Sequence, residues 1–239
     1  MSTVQLALSL VIMLAGARAW AEDADATNTI TVVGEPVTGM DYAKVYGLAD
    51  KIKQTTNGRV ALAVALKPQK DGVSMDNIKI SIVDDDGNRE EGRHIFGSYY
   101  LIPVSSEIFN KHGRLVVNRK RGSLEGYPAI VPNVNPAALK VADIQLLLAD
   151  MDKAMSQFPW YMRMFSSNSH TIDVCTFNAG RAVYFQGGDG NILGQQEISK
   201  RDDGMSKLNA HETLCTQLNG KENYPADARI VVPEGASLF

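Results

Sequence analysis

Apolar runs and short polar breaks alternate along the chain, and each run carries its own period. Val4 to Leu14 is almost wholly apolar and too short to span a bilayer. Ala19-Trp20-Ala21 follows as a small-x-small site, and Glu22-Asp23-Ala24-Asp25 then turns acidic. This order is that of a secretory leader, residues 1–21, cleaved after Ala21; no Lys or Arg precedes Val4. Ile30 to Val33 predicts a short strand, ended by Gly34 and Pro36. Tyr42, Val45, Tyr46, Ala49 and Ile52 then recur at helical spacing, with Asp41 as N-cap and Asn57-Gly58 as stop.

The period now changes to two. Val60, Leu62, Val64 and Leu66 alternate with Ala61, Ala63 and Ala65, which predicts a strand whose small face admits another element closely. Ile78, Ile80 and Ile82 alternate with Asn77, Lys79 and Ser81 in a second strand. Asp84 to Asn88 holds Asp-Gly turn chemistry. His94 to Ile102 and the segment around Leu115-Val116-Val117 complete four strand candidates, which predict a small antiparallel sandwich. The order of strand, Asp-Gly turn, strand and Gly97-x-x-x-Leu101-x-Pro103 resembles transthyretin-like and immunoglobulin-like envelope modules over about a quarter of the chain. The resemblance implies a β-sandwich-like fold and no particular site.

Asn135-Pro136 predicts the start of a long central helix. Val141, Ile144, Leu148, Met151, Met155 and Phe158 form its apolar stripe, with Asp143, Asp150 and Lys153 left to solvent. Pro159 closes it. Thr171–Phe177 and Arg181–Gln186 flank Asn178-Ala179-Gly180, a hairpin signal. Gly187 to Asn191 turns into a strand over Ile192–Ile198. Ser206–Leu218 reads as a helix stopped by Gly220, and Arg229–Val232 as a last strand. Phe239 ends the chain with an aromatic, as outer-membrane barrels often do. Pro233 and Gly235 break the segment before it, so it reads as an incidental tail. The expected fold is α+β: residues 22–133 form a helix plus a β-sandwich-like region, and 134–239 a helix plus a stapled β-hairpin/helix region.

Composition narrows the function class. The chain has 239 residues, 24 basic against 27 acidic, and a net charge of −3. A clustered basic footprint for nucleic acid is missing. The two cysteines, Cys175 and Cys215, fit an oxidising compartment and are expected to pair. The bridge would close a loop of about 40 residues, which chain entropy values at roughly 4 kcal/mol. The location expected is periplasmic or secreted, with no membrane span once the leader is gone.

No motif specifies a reaction. His211-Glu212-Thr213-Leu214-Cys215 approaches a zinc-protease helix, but its last position is Cys where the second His belongs. The alternative reading is a hydrolase, either zinc-dependent through His211 and Glu212 or built on a spatially assembled His/Asp/Ser site. Asp84, Asp86 and Asn88 have calcium-loop spacing but lack the following Gly and the twelfth-position Glu. Ser166 to His170, with Asp173, holds triad residue types without an elbow motif. Arg119-Lys120-Arg121 is the one tight basic cluster. Trp160, Tyr161 and Phe165 belong to an aromatic stretch that reads first as core and is otherwise the candidate contact surface. The leading expectation is a binding protein for an unidentified protein or envelope ligand, with no cofactor.

Overall fold

A computed structural model describes residues 42–120, 122–159, 171–200 and 213–239. The leader, Trp160, Tyr161, Phe165, Ser166 to His170, His211 and Glu212 lie outside the described residues. All described residues belong to one compact unit, Thr31–Phe239.

Helix α1, Tyr42–Thr55, turns its Tyr42, Val45, Ala49 and Ile52 stripe inward. It stops where Asn57 and Gly58 take positive φ and the Gly58 N–H donates back to the Lys53 carbonyl. Strand β1, Val60–Pro68, follows at once and is the centre of the fold. Val60, Leu62, Val64 and Leu66 enter the main core, while Ala63 and Ala65 enter a smaller second core.

Strands β2 (Ile80–Val83) and β3 (Arg89–Glu91) form the Asp-Gly hairpin. The predicted strand His94–Ile102 is instead a tight hairpin: β4 (His94–Phe96) folds back on β5 (Tyr99–Leu101). Gly97 makes this possible by adopting φ 54°. Helix α2 (Ser106–Asn110) leads into β6 (Arg114–Val117), which pairs with β2. Strand β7, Leu124–Pro132, pairs with β1 over nine positions, although Gly126 and Pro128 hide it in the sequence. It stands at the edge of the sheet β4-β5-β1-β7, where proline's missing N–H leaves no ladder bond unmade.

Pro136–Ala138 forms a 3-10 turn capped by the Asn135 side chain, and helix α3 begins only at Val141 and runs to Ser156. The Asp143 carboxylate accepts the Lys140 N–H and so fixes that start. Asp150 is not left to solvent. Its carboxylate is buried and accepts from Arg59 Nε at 2.7 Å, while Lys153 Nζ lies 3.0 Å from its other oxygen. The pair joins α3 to the residue just before β1.

The hairpin expected at Asn178-Ala179-Gly180 is a crossover. Strand β8 (Ile172–Thr176) and strand β9 (Ala182–Gln186) join different sheets. Strand β9 pairs with β10 (Ile192–Glu197) and β13 (Arg229–Val231). Strand β8 pairs with β12 (Leu214–Leu218) and β14 (Ser237–Leu238), and β11 (Ser199–Lys200) joins β12. Leu214–Leu218 is thus a strand, not the end of a helix. Thr213 and Thr216 are β-branched, and Cys215 must face Cys175 across the ladder.

That pairing is a disulfide. Cys175 and Cys215 are directly opposed with Cα atoms 4.2 Å apart, close to the spacing of a non-hydrogen-bonded antiparallel pair. The bridge lies in the second core against Ala63, Ala65, Val131, Tyr99 and Phe96. Phe239 is no loose tail: its ring packs edge-on to Phe96 and Tyr99, and its backbone exchanges hydrogen bonds with Asp173. The result is a mixed α/β body with antiparallel sheets and few helices. Its main core draws on residues from Tyr42 to Leu238. Among the described residues no helix is long and apolar enough to cross a membrane.

The Asp150 pair gives a sharp test. Asp150→Ala should lose about 2 kcal/mol of stability in urea unfolding, the range for hydrogen bonds to a charged group. Lys153→Ala, which removes an exposed partner, should cost under about 0.5 kcal/mol.

Candidate functional site

Among the described residues, an open concavity lies on the β9-β10-β13 sheet. Its base is the β9–β10 hairpin, turned by Gly187 to Asn191. Asp189 accepts the Asn191 backbone N–H at 3.0 Å and its side-chain amide at 2.6 Å, and those bonds hold its carboxyl below the ordinary range. Within β10, Gly194 stands opposite Phe185. A Cβ at Gly194 would collide with the ring and hydroxyl of Tyr224, so the glycine is what lets Tyr224 lie across the strand. The Tyr224 ring stacks on buried Phe185, centroids 4.2 Å apart and planes 19° from parallel.

The segment carrying Tyr224 is tied at several points. Asn219 N–H donates to Glu222 Oε1 at 2.7 Å, and Lys221 N–H donates to Asn219 Oδ1 at 2.8 Å. From helix α3, Gln145 Nε2 donates to the Gly220 carbonyl at 2.9 Å. Phe185, Gln195, Gln196, Glu222, Asn223 and Tyr224 line the open cleft of about 460 Å³ that results, within the size range of small-ligand sites. Gln196 is fixed by donating to the Gln217 carbonyl at 3.0 Å, whereas Gln195 and Asn223 are exposed. The second carboxylate oxygen of Glu222, Oε2, is closed from solvent and accepts no hydrogen bond among the described residues. Such a site can stack against a ring and exchange hydrogen bonds through amides.

The other sequence candidates fare differently. Cys215 is spent in the disulfide, so it cannot be the thiolate ligand that a His211/Cys215 zinc pair requires. The Asp84 loop is a hairpin tip. Asn88 donates its backbone and side-chain N–H to the Asp84 carboxylate, each at 2.8 Å. Lys111 Nζ lies among Asp84, Asp86 and Glu107, so an ammonium already occupies the acidic ring. Arg119 clamps a loop, donating to the carbonyls of Ser74, Asp76 and Asn118. His94 bonds the Gly97 carbonyl at 2.8 Å and His112 follows α2, so neither lines the cleft. Asp173 accepts from Gln217 Nε2 at 3.1 Å.

Sequence reasoning misses the cleft because its residues come from two segments that meet only in space. One signal was present: a lone glycine inside a strand pattern marks a close approach of another element, and Gly194 does so. No protein-family model, curated protein or solved structure matches the chain.

Two predictions follow from these geometries. Burial works against a charged Asp84, but the Asn88 bonds and the Lys111 ammonium outweigh it and hold the carboxyl below its usual range. The stability contributed by the charged Asp84 is therefore complete above the ordinary aspartate pKa, about 3.9, and is lost as pH falls through the lowered native value. The stability gap between wild type and Asp84→Ala should shrink between pH 7 and strong acid in denaturant titrations. Separately, Gly194→Ala should push the Tyr224 ring off Phe185, costing about 1 kcal/mol and changing the near-UV circular dichroism.

Proposed function

We propose that the chain is exported to an oxidising compartment, periplasmic or extracellular, and acts there by binding through the Tyr224 cleft. The observation that carries this reading is the cleft itself, in which an aromatic ring and amide groups are held on a sheet by the Asn219, Gly220 and Glu222 bonds. A buried disulfide between opposed strands supports the compartment. The leader pattern of residues 1–21 supports the route. The sheet β4-β5-β1-β7 and the disulfide-bearing sheet share the second core. That supports a sandwich-like module of the immunoglobulin or transthyretin kind.

Expression of the full chain in a bacterial host, followed by fractionation and amino-terminal sequencing, tests the route. The expected outcome is a protein outside the cytoplasm that begins at Glu22 and has no titratable thiol. A cytoplasmic protein with an intact Met1 end and two free thiols overturns it. For the mode of action, a broad hydrolase screen should give no turnover above buffer. Turnover abolished by His211→Ala or Glu212→Gln would replace the binding reading with the zinc-dependent hydrolase.

A further inference from the structure

We propose that Asn219-Gly220 is a site of spontaneous covalent modification, at which the Gly220 backbone nitrogen attacks the Asn219 side-chain amide and leaves aspartyl and isoaspartyl forms of the chain. The reaction needs no ligand and is independent of the binding reading above. The chain contains two Asn-Gly steps, Asn57-Gly58 and Asn219-Gly220. Both asparagines are exposed, and both glycines are half-buried with positive φ, 71° at Gly58 and 70° at Gly220. Residue type and exposure therefore do not separate the two steps. They differ in how the glycine N–H and the asparagine oxygen are engaged.

At the first step the nucleophile is tied. The Gly58 N–H donates to the Lys53 carbonyl at 2.8 Å, and Asn57 stands in the left-handed region at φ 52° as part of the α1 stop. At the second step the Gly220 N–H donates to no group among the described residues. Asn219 Oδ1 accepts the Lys221 N–H at 2.8 Å, an Asx turn that folds the side chain back along the Gly220 amide. Attack at Cγ moves negative charge onto that oxygen, and a backbone N–H already donates to it, as in an oxyanion hole. Gln145 Nε2 lies 3.4 Å from the Asn219 carbonyl, the acceptor end of the same peptide unit, and so eases loss of the Gly220 proton. A Cβ at position 220 would stand 2.8 Å from Gln145 Cγ. Packing against α3 thus keeps an unshielded glycine nitrogen beside Asn219.

Hydroxide removes the Gly220 N–H proton, the bond from that nitrogen to Asn219 Cγ forms, and the Cγ–Nδ2 bond breaks with release of ammonia. A cyclic imide results. Water then opens it at either carbonyl, without any change of oxidation state. Opening at Cγ gives aspartate; opening at the main-chain carbonyl gives isoaspartate, whose main chain runs through Cβ. Either product adds a carboxylate to a turn that already holds Glu222, where Glu222 Oε1 accepts the Asn219 N–H at 2.7 Å. Like charges so placed repel. The iso form also lengthens the backbone by a methylene between that bond and the Gln145 contact at the Gly220 carbonyl. Modification therefore loosens the segment that holds the Tyr224 ring on Phe185.

The purified full chain should be aged at physiological temperature, folded and in urea, at neutral and mildly alkaline pH. Peptide mapping by mass spectrometry, with fragmentation that tells isoaspartate from aspartate, then follows both steps. In the folded chain Asn219 should convert at least about tenfold faster than Asn57, faster at the higher pH, with isoaspartate among the products. In urea the two rates should fall within about twofold of each other, because the turn and the helix stop are both gone. Asn219→Ser keeps an oxygen for the Lys221 N–H and should abolish the reaction at 219. The aged fraction should also differ from fresh protein in the near-UV circular dichroism of its tyrosines. Equal rates in the folded chain, or Asn57 ahead, overturn the proposal, as does a folded chain unchanged at Asn219 while the urea sample converts. Conversion to aspartate alone, at a rate indifferent to pH, is direct hydrolysis and overturns the backbone attack. An aged spectrum identical to the fresh one overturns the loosening of Tyr224.

Discussion

Strand β1 is buried on both faces, and the two faces obey different size rules. On one side Val60, Leu62, Val64 and Leu66 fill the main core. On the other, Ala63 and Ala65 hold the cystine side to a short approach. A larger side chain at either alanine would meet the cystine layer, and close-packed interiors tolerate added volume poorly. Most of the fold hangs on this asymmetry. The small face seats β8 and β12, which place Phe239 against Phe96 and Tyr99. Strand β12 in turn delivers Asn219 and Gly220 to helix α3, and that contact positions Tyr224.

Two charged clusters near this framework are closed systems. Asp150 is buried with Arg59 as its main partner, and Arg59 remains part-exposed so that its own charge stays hydrated. Removing a buried charge's partner is costlier than the net value of the pair, which makes this contact a registration device between helix and strand. The Asp84 hairpin tip has an analogous economy. Lys111 supplies from within the chain the positive charge that an acidic loop attracts.

Local pattern was legible in the sequence, and pairing was not. The stripe of α1, the alternation in β1 and the Asn57-Gly58 stop follow from side-chain period and backbone preference and stand where that physics puts them, whereas α3 starts later than Asn135-Pro136 implied and buries Leu147, Ala154 and Asp150 beyond the expected stripe. The alanine face anticipated a close neighbour, and the cysteines anticipated the bridge. The failures share one cause, namely long-range pairing that overrides a local signal. Asn178-Ala179-Gly180 has hairpin chemistry, yet β8 finds β12 and β14 instead of β9. Leu214–Leu218 reads as helix until its partner strand is known. Strand β7 keeps Pro128 because it is an edge, a fact about topology that composition does not carry. The cleft was illegible for the same reason, since Gly194 in β10 and Tyr224 in the segment after β12 meet only in space.

The cystine joins positions 40 residues apart in the chain, with β9 and β10 inside the loop it closes. A single backbone cut by a protease anywhere within that loop would therefore release no fragment. Both pieces would travel as one molecule until a reductant separated them. In a milieu rich in proteases, the covalent link keeps a nicked copy whole and holds the severed strands at the local concentration they need to stay paired.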